Sequence, residues 1–252
     1  MNNLQLEALL NQTLSPHLVK DYCPNGLQVE GKQAVKKIVT GVTASQALIE
    51  AAVEAKADAI LVHHGYFWKG EPQPITGMKG KRIRSLIQND INLYAYHLPL
   101  DIHPRLGNNT QLAGLLDIKV EGGLEGHAQS VAMHGSFNVA LTGKQLKDRI
   151  DNALNRQPLH IEPNDADKKI KTVGWCTGGG QDYLELASKF GLDAFISGEI
   201  SERTTYIARE LGIHYFAAGH HATERYGVRA LGEWLAKEYN FDVEFIDIDN
   251  PV

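Results

Sequence analysis

Cysteine is nearly absent from this 252-residue chain: Cys23 and Cys176 are the only two, and they stand in no metal-type spacing. That excludes a disulfide framework and a thiolate zinc site, and makes a reducing cytoplasm the expected setting. No apolar run is long enough to span a bilayer, and Met1 to Leu10 lacks the basic segment and apolar core of a leader. A soluble, unexported protein without a membrane partner is therefore expected. Basic excess is missing too: the formal net charge is −5, with no run of like charges, so no nucleic-acid footprint is present. The length allows one large domain or two small ones.

What is present is an alternation of strand and helix signals. Leu4, Leu6, Leu9, Leu10 and Leu14 recur at helical spacing, which predicts an amphipathic helix over 3–14 that stops before Pro16. Pro24-Asn25-Gly26 signals a turn, and Leu27 to Val29 a short strand. A strand over 35–42, a helix capped by Ser45 and running to Lys56, and a strand ending at His63 then make a βαβ unit. A helix over 81–88, a strand over 91–96 and the proline-stiffened loop from His97 to Pro104 follow. From Gly122 to about Asn164 the pattern weakens to a strand near 136–141 and a helix over 143–155.

The second part resembles the first. A strand over 173–176, the turn Thr177-Gly178-Gly179-Gly180, a helix over 181–190 and a strand over 192–197 repeat the earlier order, with Ala57-Asp58-Ala59-Ile60 matched by Leu192-Asp193-Ala194-Phe195. A helix over 203–211 and a strand over 213–217 complete the match. This predicts an α/β fold of two related α/β halves, an internal duplication with a small inserted subdomain. The expected boundaries are 1–121, 122–168 and 169–252. Chance likeness between any two βαβ units is the alternative.

Donor residues collect where strand patterns stop. Ile60 to Val62 ends in His63-His64-Gly65, the strand over 91–96 in His97 and Asp101, and the strand over 213–217 in Gly219-His220-His221-Ala222-Thr223-Glu224. In open α/β sheets, ligands bind at the carboxyl ends of strands. Neighbours on a strand point to opposite faces, so either the chain bends at His64 or two ions sit there. The plainer alternative has one of the two histidines in solvent and the other in a core hydrogen bond. His220 and Glu224 share a helix face if the helix begins near Gly219. Two halves related by a pseudo-twofold axis would bring these strand ends together. Imidazole and carboxylate donors without thiolate suit Zn, Mn, Fe, Ni or Co, and five of them suit two ions better than one. Paired ions activate water and stabilise an oxyanion, the logic of metal-dependent hydrolysis of a small-molecule substrate. A metal-binding or metal-delivery protein without chemistry is the reading from another class.

Outside that set, His97 is the candidate for a proton shuttle, with a structural hydrogen bond as its alternative; His103, His221 and Glu199 carry the same doubt. Gly178, Gly179 and Gly180 open a helix as a phosphate would need, but match neither the dinucleotide nor the P-loop spacing, and a plain tight turn is the preferred reading. Tyr66, Phe67 and Trp68 either stack on a purine or pack in a core or subunit interface.

Pro-Asn-Gly-Leu-Gln-Val at 24–29, Val-His-His-Gly at 62–65, His-Leu-Pro-Leu-Asp at 97–101 and Gly-His-His-Ala-Thr-Glu at 219–224 together resemble the NIF-three-like dinuclear-metal family, whose members are commonly named GTP cyclohydrolase I type 2 homologues. The resemblance spans essentially the whole chain and is nearest to the short bacterial form. It implies metal ligands at His63, His64, Asp101, His220 and Glu224, two divalent ions per chain, and two related α/β halves. It also implies a toroidal homohexamer, a trimer of dimers, and possession of a GTP cyclohydrolase type of activity.

Overall fold

Helix α1 (Asn3–Leu14) begins at a capping box in which Asn2 and Gln5 exchange side-chain-to-backbone bonds, and it ends where Ser15 turns left-handed before Pro16. Its buried Leu6, Leu10 and Leu14 follow the four-residue stride of one helix face. The chain continues through β1 (Gly26–Val29), β2 (Lys37–Thr43), α2 (Gln46–Glu54), β3 (Ala59–His64), α3 (Gly77–Gln88), β4 (Asn92–Ala95) and the single turn α4 (Leu98–Asp101). Then come α5 (Asn108–Leu115), β5 (Lys119–Gly123), β6 (Met133–Leu141), α6 (Gly143–Leu154), β7 (Leu159–Ile161), β8 (Ile170–Cys176), α7 (Leu184–Lys189), β9 (Ala194–Ser197), α8 (Glu202–Glu210), β10 (His214–Ala217), α9 (His220–Tyr239) and β11 (Asp242–Phe245). The structure, a computed structural model, describes residues 1–165 and 167–252.

Two compact units result: Met1–Gly107 with Gly227–Asp249, and Asn108–Tyr226 with Asn250–Val252. The first holds a sheet of order β1-β4-β3-β2-β11, in which β4, β3, β2 and β11 are parallel and β1 is antiparallel to β4. Strands buried on both faces need apolar residues at consecutive positions, and β2, β3 and β4 have them. Ile38, Leu61 and Tyr94 pack with α1 and with Val228, Leu231 and Leu235 of α9, whereas Val39, Ile60 and Leu93 pack with Leu48 and Ile49 of α2 and Ile83 and Leu86 of α3. Truncating a residue such as Leu61, 1% exposed, to alanine costs about 2–5 kcal/mol.

The second unit holds a sheet of order β5-β6-β8-β9-β10-β7, with β8, β9 and β10 parallel and β7 antiparallel to β10. Val173, Trp175, Ile196 and Phe216 pack with Leu146, Ile150 and Leu154 of α6, and Phe195 and Tyr215 with Leu184 and Ala187 of α7.

The stretches from α1 to β4 and from α6 to β10 share one order: helix, antiparallel edge strand, then three parallel strands with helices between them. The likeness extends to single bonds. Asp58 Oδ2 accepts from the amides of Lys36 and Lys37 at 2.7 and 2.9 Å, and Asp193 Oδ2 accepts from those of Lys171 and Thr172 at 3.0 and 2.9 Å. Each aspartate thus fastens the second parallel strand to the start of the first. Burial alone would raise the Asp58 carboxyl, but the Lys32 ammonium and the two amides hold it below its ordinary value.

The unit boundaries differ from those expected. The segment 122–168 contributes β6 and β7 to the same sheet as β8–β10, because backbone pairing of Met133 to Trp175 and of Ile161 to Tyr215 ties it there. Helix α5 and strands β5, β7 and β11 are not among the sequence expectations; β11 does alternate Asp242, Val243, Glu244 and Phe245, but over only four residues.

Candidate metal centre

Strands β3 and β4 are parallel neighbours, so their carboxyl ends lie side by side. His63 is fully buried, and its Nδ1 donates to the Tyr96 carbonyl at 3.0 Å, which fixes the tautomer and leaves Nε2 facing Asp101 Oδ1 at 3.4 Å. The His64 ring lies 4.5 Å from that of His63, and its Nδ1 is 3.1 Å from Thr43 Oγ1. Both rings therefore sit together at the strand end, the geometry that a regular strand interior would forbid. His97 joins them with ring centroids 5.0 and 5.7 Å away, and donor atoms of His63, His64 and His97 lie within 4.8 Å of one another. Asp101 ends the helical turn α4, which replaces the stiff loop expected there: Pro99 starts a helix readily and the Asp101 amide closes on the His97 carbonyl at 3.2 Å.

Residues of the 21–28 segment clamp this cluster, and only part of that was visible in sequence. Asp21 accepts from His97 Nδ1 at 2.9 Å, the Leu98 amide at 3.0 Å and Asn25 Nδ2 at 3.0 Å. Burial pushes the Asp21 carboxyl up, but His97, Asn25 and the Tyr22 amide outweigh it and bring it to about 2. Asn25 Oδ1 accepts from the His97 amide at 2.7 Å, and Gln28 bonds both the amide and the carbonyl of Tyr66 at 2.7 and 3.1 Å. A side chain on Gly65 would overlap Gln28 Oε1, so the glycine after the histidine pair is what admits this brace. The Pro24-Asn25-Gly26 turn signal located the segment; nothing in the spacing identified Asp21. The aromatic trio divides: Tyr66 is buried with its hydroxyl on the Ala44 carbonyl, while Trp68 stands edge-on to His97 at 4.9 Å.

The second unit presents donors at the corresponding ends. Val62 pairs with Ala95 in the first sheet and Ser197 with Ala217 in the second, so Glu199 occupies the place of His64. Helix α9 does begin at His220, and the one-turn spacing brings His220 Nε2 to 3.1 Å from Glu224 Oε2. His220 Nδ1 lies 2.7 Å from Glu199 Oε1. Burial would lower the His220 imidazole, but Glu224 and Glu199 outweigh it and raise it to about 9. Glu224 is 3% exposed.

The glycine turn serves this pair. Gly178 has φ +63°, and a Cβ on it would overlap Glu224 Oε1 and lie 3.0 Å from His220 Nε2. Its amide donates to Thr223 Oγ1 at 3.0 Å and that of Gly180 to Ser197 Oγ at 2.9 Å, so protein oxygens occupy two of the amides a phosphate would use. Of the remaining histidines, His103 Nδ1 accepts the Arg105 and Leu106 amides in a turn, and His221 is buried with its amide on the Val252 carbonyl.

The donor chemistry fits divalent metal. His63, His64 and His220 each engage Nδ1 with a protein oxygen, which leaves Nε2 as the end that could ligate an ion, the arrangement metal-binding histidines ordinarily show. Carboxylates stand beside His63 and His220. Fold and donors define an α/β protein of twinned sheets with metal-type clusters at its strand ends. Comparison with known proteins narrows that class: the family described as Duf34/NIF3 (NGG1p interacting factor 3) matches residues 1–251, and the chain belongs to it. A Vibrio cholerae protein named GTP cyclohydrolase 1 type 2 homolog is 77% identical over all of both chains. An Escherichia coli relative of the same name is 54% identical over all of both. Among solved structures, protein ybgI, of unknown function, superposes with TM-score 0.95 at 53% identity and full coverage of both chains, and a Thermus thermophilus protein with TM-score 0.89 at 32% identity and full coverage. Among the described residues no helix is long and apolar enough to cross a membrane.

Proposed function

We propose that the chain binds two divalent ions, through His63, His64 and Asp101 of the first unit and His220 and Glu224 of the second, and uses them to hydrolyse a purine nucleotide or a similar small phosphorylated compound. The observation that carries this reading is the shared attachment of the three imidazoles, each with Nδ1 against a protein oxygen, and with Nε2 of His63 and of His220 beside a carboxylate. When bound, such ions supply Lewis acidity toward a carbonyl or phosphoryl oxygen and activation of water at neutral pH.

The chain's own residues supply orientation and proton handling. Glu199 holds His220 through Nδ1 and the Tyr96 carbonyl holds His63, so neither ring can rotate its Nε2 away without breaking a bond. His97 donates its Nδ1 proton to Asp21 and presents Nε2 beside the His63 and His64 rings, where it can take a proton from an attacking water or return one to a leaving group. The relatives' name directs the first substrate to test, GTP, whose ring opening begins with attack of water on the carbon between two ring nitrogens. A phosphodiester panel tests the competing use of the same groups. Turnover by metal-loaded protein, lost in His97→Ala with metal retained, supports the reading; no turnover of any compound with any metal defeats hydrolysis and leaves a metal carrier. We also propose the toroidal homohexamer that the resemblance implies, which light scattering on the eluted protein measures.

A further inference from the structure

Beyond the metal-type clusters, the second unit carries a hollow of about 560 Å³ lined by Lys144, Lys147, His160, Glu162, Asn164 and Arg209, together with Ile161 and Pro163. Its charge runs against that of the molecule. Three cations and one carboxylate give +2 with His160 neutral, in a chain whose net charge is −5. Lys144 is paired with Asp148 at 2.6 Å, but among the described residues Lys147 and Arg209 have no carboxylate within ion-pair distance.

The hollow's floor is built rather than incidental. The Lys168 carbonyl can only accept, so His214 Nε2, 3.0 Å from it, carries a proton. Neutral His214 then has a bare Nδ1, which must accept from His160 Nε2 at 3.0 Å. That leaves Nδ1 of His160 as an acceptor on the hollow side, with Glu162 Oε1 3.9 Å away. The imidazole is held flat on Phe216, with centroids 4.2 Å apart and planes within 6°. Helix α6 can approach this closely only because residue 143 is glycine: a Cβ there would come within 2.5 Å of His160 Cε1. The result is a ring of fixed orientation and known tautomer beneath two uncompensated cations.

We propose that this hollow binds a phosphorylated hydroxy compound of sugar-phosphate size, its phosphoryl group on Lys147 and Arg209 and a hydroxyl donating to His160 Nδ1. Its volume lies within the range of small-molecule sites. The guanidinium and ammonium match phosphoryl oxygens in charge and donor type. A free hydroxyl matches a nitrogen that can only accept. None of its residues belongs to the metal-type clusters, so the proposal stands or falls apart from the hydrolase reading.

The test is calorimetric titration of the full chain with ribose 5-phosphate and, separately, inorganic phosphate, repeated after chelation so that anion held by metal disappears from the signal. Binding that survives chelation, weakened at least tenfold by Lys147→Glu or Arg209→Glu and unchanged by Lys189→Glu at an exposed position of α7, is the expected result, about 1.4 kcal/mol per tenfold. His160→Phe, which keeps the stack on Phe216, should weaken ribose 5-phosphate and leave inorganic phosphate alone. No chelation-resistant binding, or binding indifferent to both charge reversals, would overturn the proposal. Equal loss of both ligands in His160→Phe would overturn the role of the hydroxyl. Circular dichroism of each variant separates loss of a ligand contact from loss of the fold.

Discussion

Gly178→Ala isolates what the glycine turn does. The backbone there has φ +63°, a region that costs a residue with a Cβ about 1–2 kcal/mol. The added methyl would also overlap Glu224 Oε1 and come to 3.0 Å from Glu224 Cδ and His220 Nε2, and such overpacking adds about 1–3 kcal/mol unless the carboxylate moves. Gly212 is the matched control: its φ is +65°, and nothing lies within 4 Å of its Cβ position. Gly212→Ala therefore carries the backbone strain alone. In a chain of this size, 1 kcal/mol shifts the melting temperature by about 2–4 °C. Gly212→Ala should lower it by about 2–8 °C and keep its metal. Gly178→Ala should either fall by a further few degrees or relieve the overlap by turning Glu224 aside and losing bound metal. Calorimetric melting with elemental analysis of the same samples reads both. If the two variants match in melting temperature and in metal content, the turn is not packed against Glu224 and His220.

His63→Ala or Glu224→Ala should each remove at least one ion per chain without unfolding the protein; elemental analysis with circular dichroism checks it, and retention of all metal in both shows the ligands to be misassigned. Ions that bind only the native form stabilise it by about 4 kcal/mol at a thousandfold excess over the dissociation constant, so chelation should lower the melting temperature of the wild type and hardly that of a His64→Ala, His220→Ala double variant. Burial, with His214 and Lys147 nearby, holds His160 down to about 4, and burial likewise lowers His214. Their folded values lie below the unfolded 6.5, so the unfolded chain takes up protons first as pH falls: stability is intact above about pH 6.5 and declines toward pH 4, by up to about 3 kcal/mol from His160. In chelated protein, urea midpoints at pH 7.5 and 5 should therefore differ more in wild type than in His160→Phe, and equal differences would contradict the assignment.

Sequence made the repeat legible through Asp58 and Asp193, since each follows a helix and precedes an apolar strand; the structure adds that the two carboxylates bond corresponding pairs of amides. The donors after β3, β4 and β10 were legible for a related reason: imidazoles and carboxylates directly after a buried apolar run have few structural uses. The supporting shell was not. Asp21 acts on His97 across 76 positions and Gln28 on Tyr66 across 38, and no local period encodes such a pairing. Glycine is ambiguous in the same way: the triplet after Thr177 reads equally as a phosphate cradle or as clearance, and only the positions of Glu224, Thr223 and Ser197 distinguish the two. The segment 122–168 was hard to place because β7 spans three residues, and an edge strand that short shows no periodicity.

An anomalous-scattering map from crystals grown with manganese or zinc would locate the ions themselves. Two peaks per chain are expected, in contact with Nε2 of His63, His64 and His220 and with carboxylate oxygens of Asp101 and Glu224. A map with no peak at these atoms, or with ions held by other residues, would contradict the proposed ligand set.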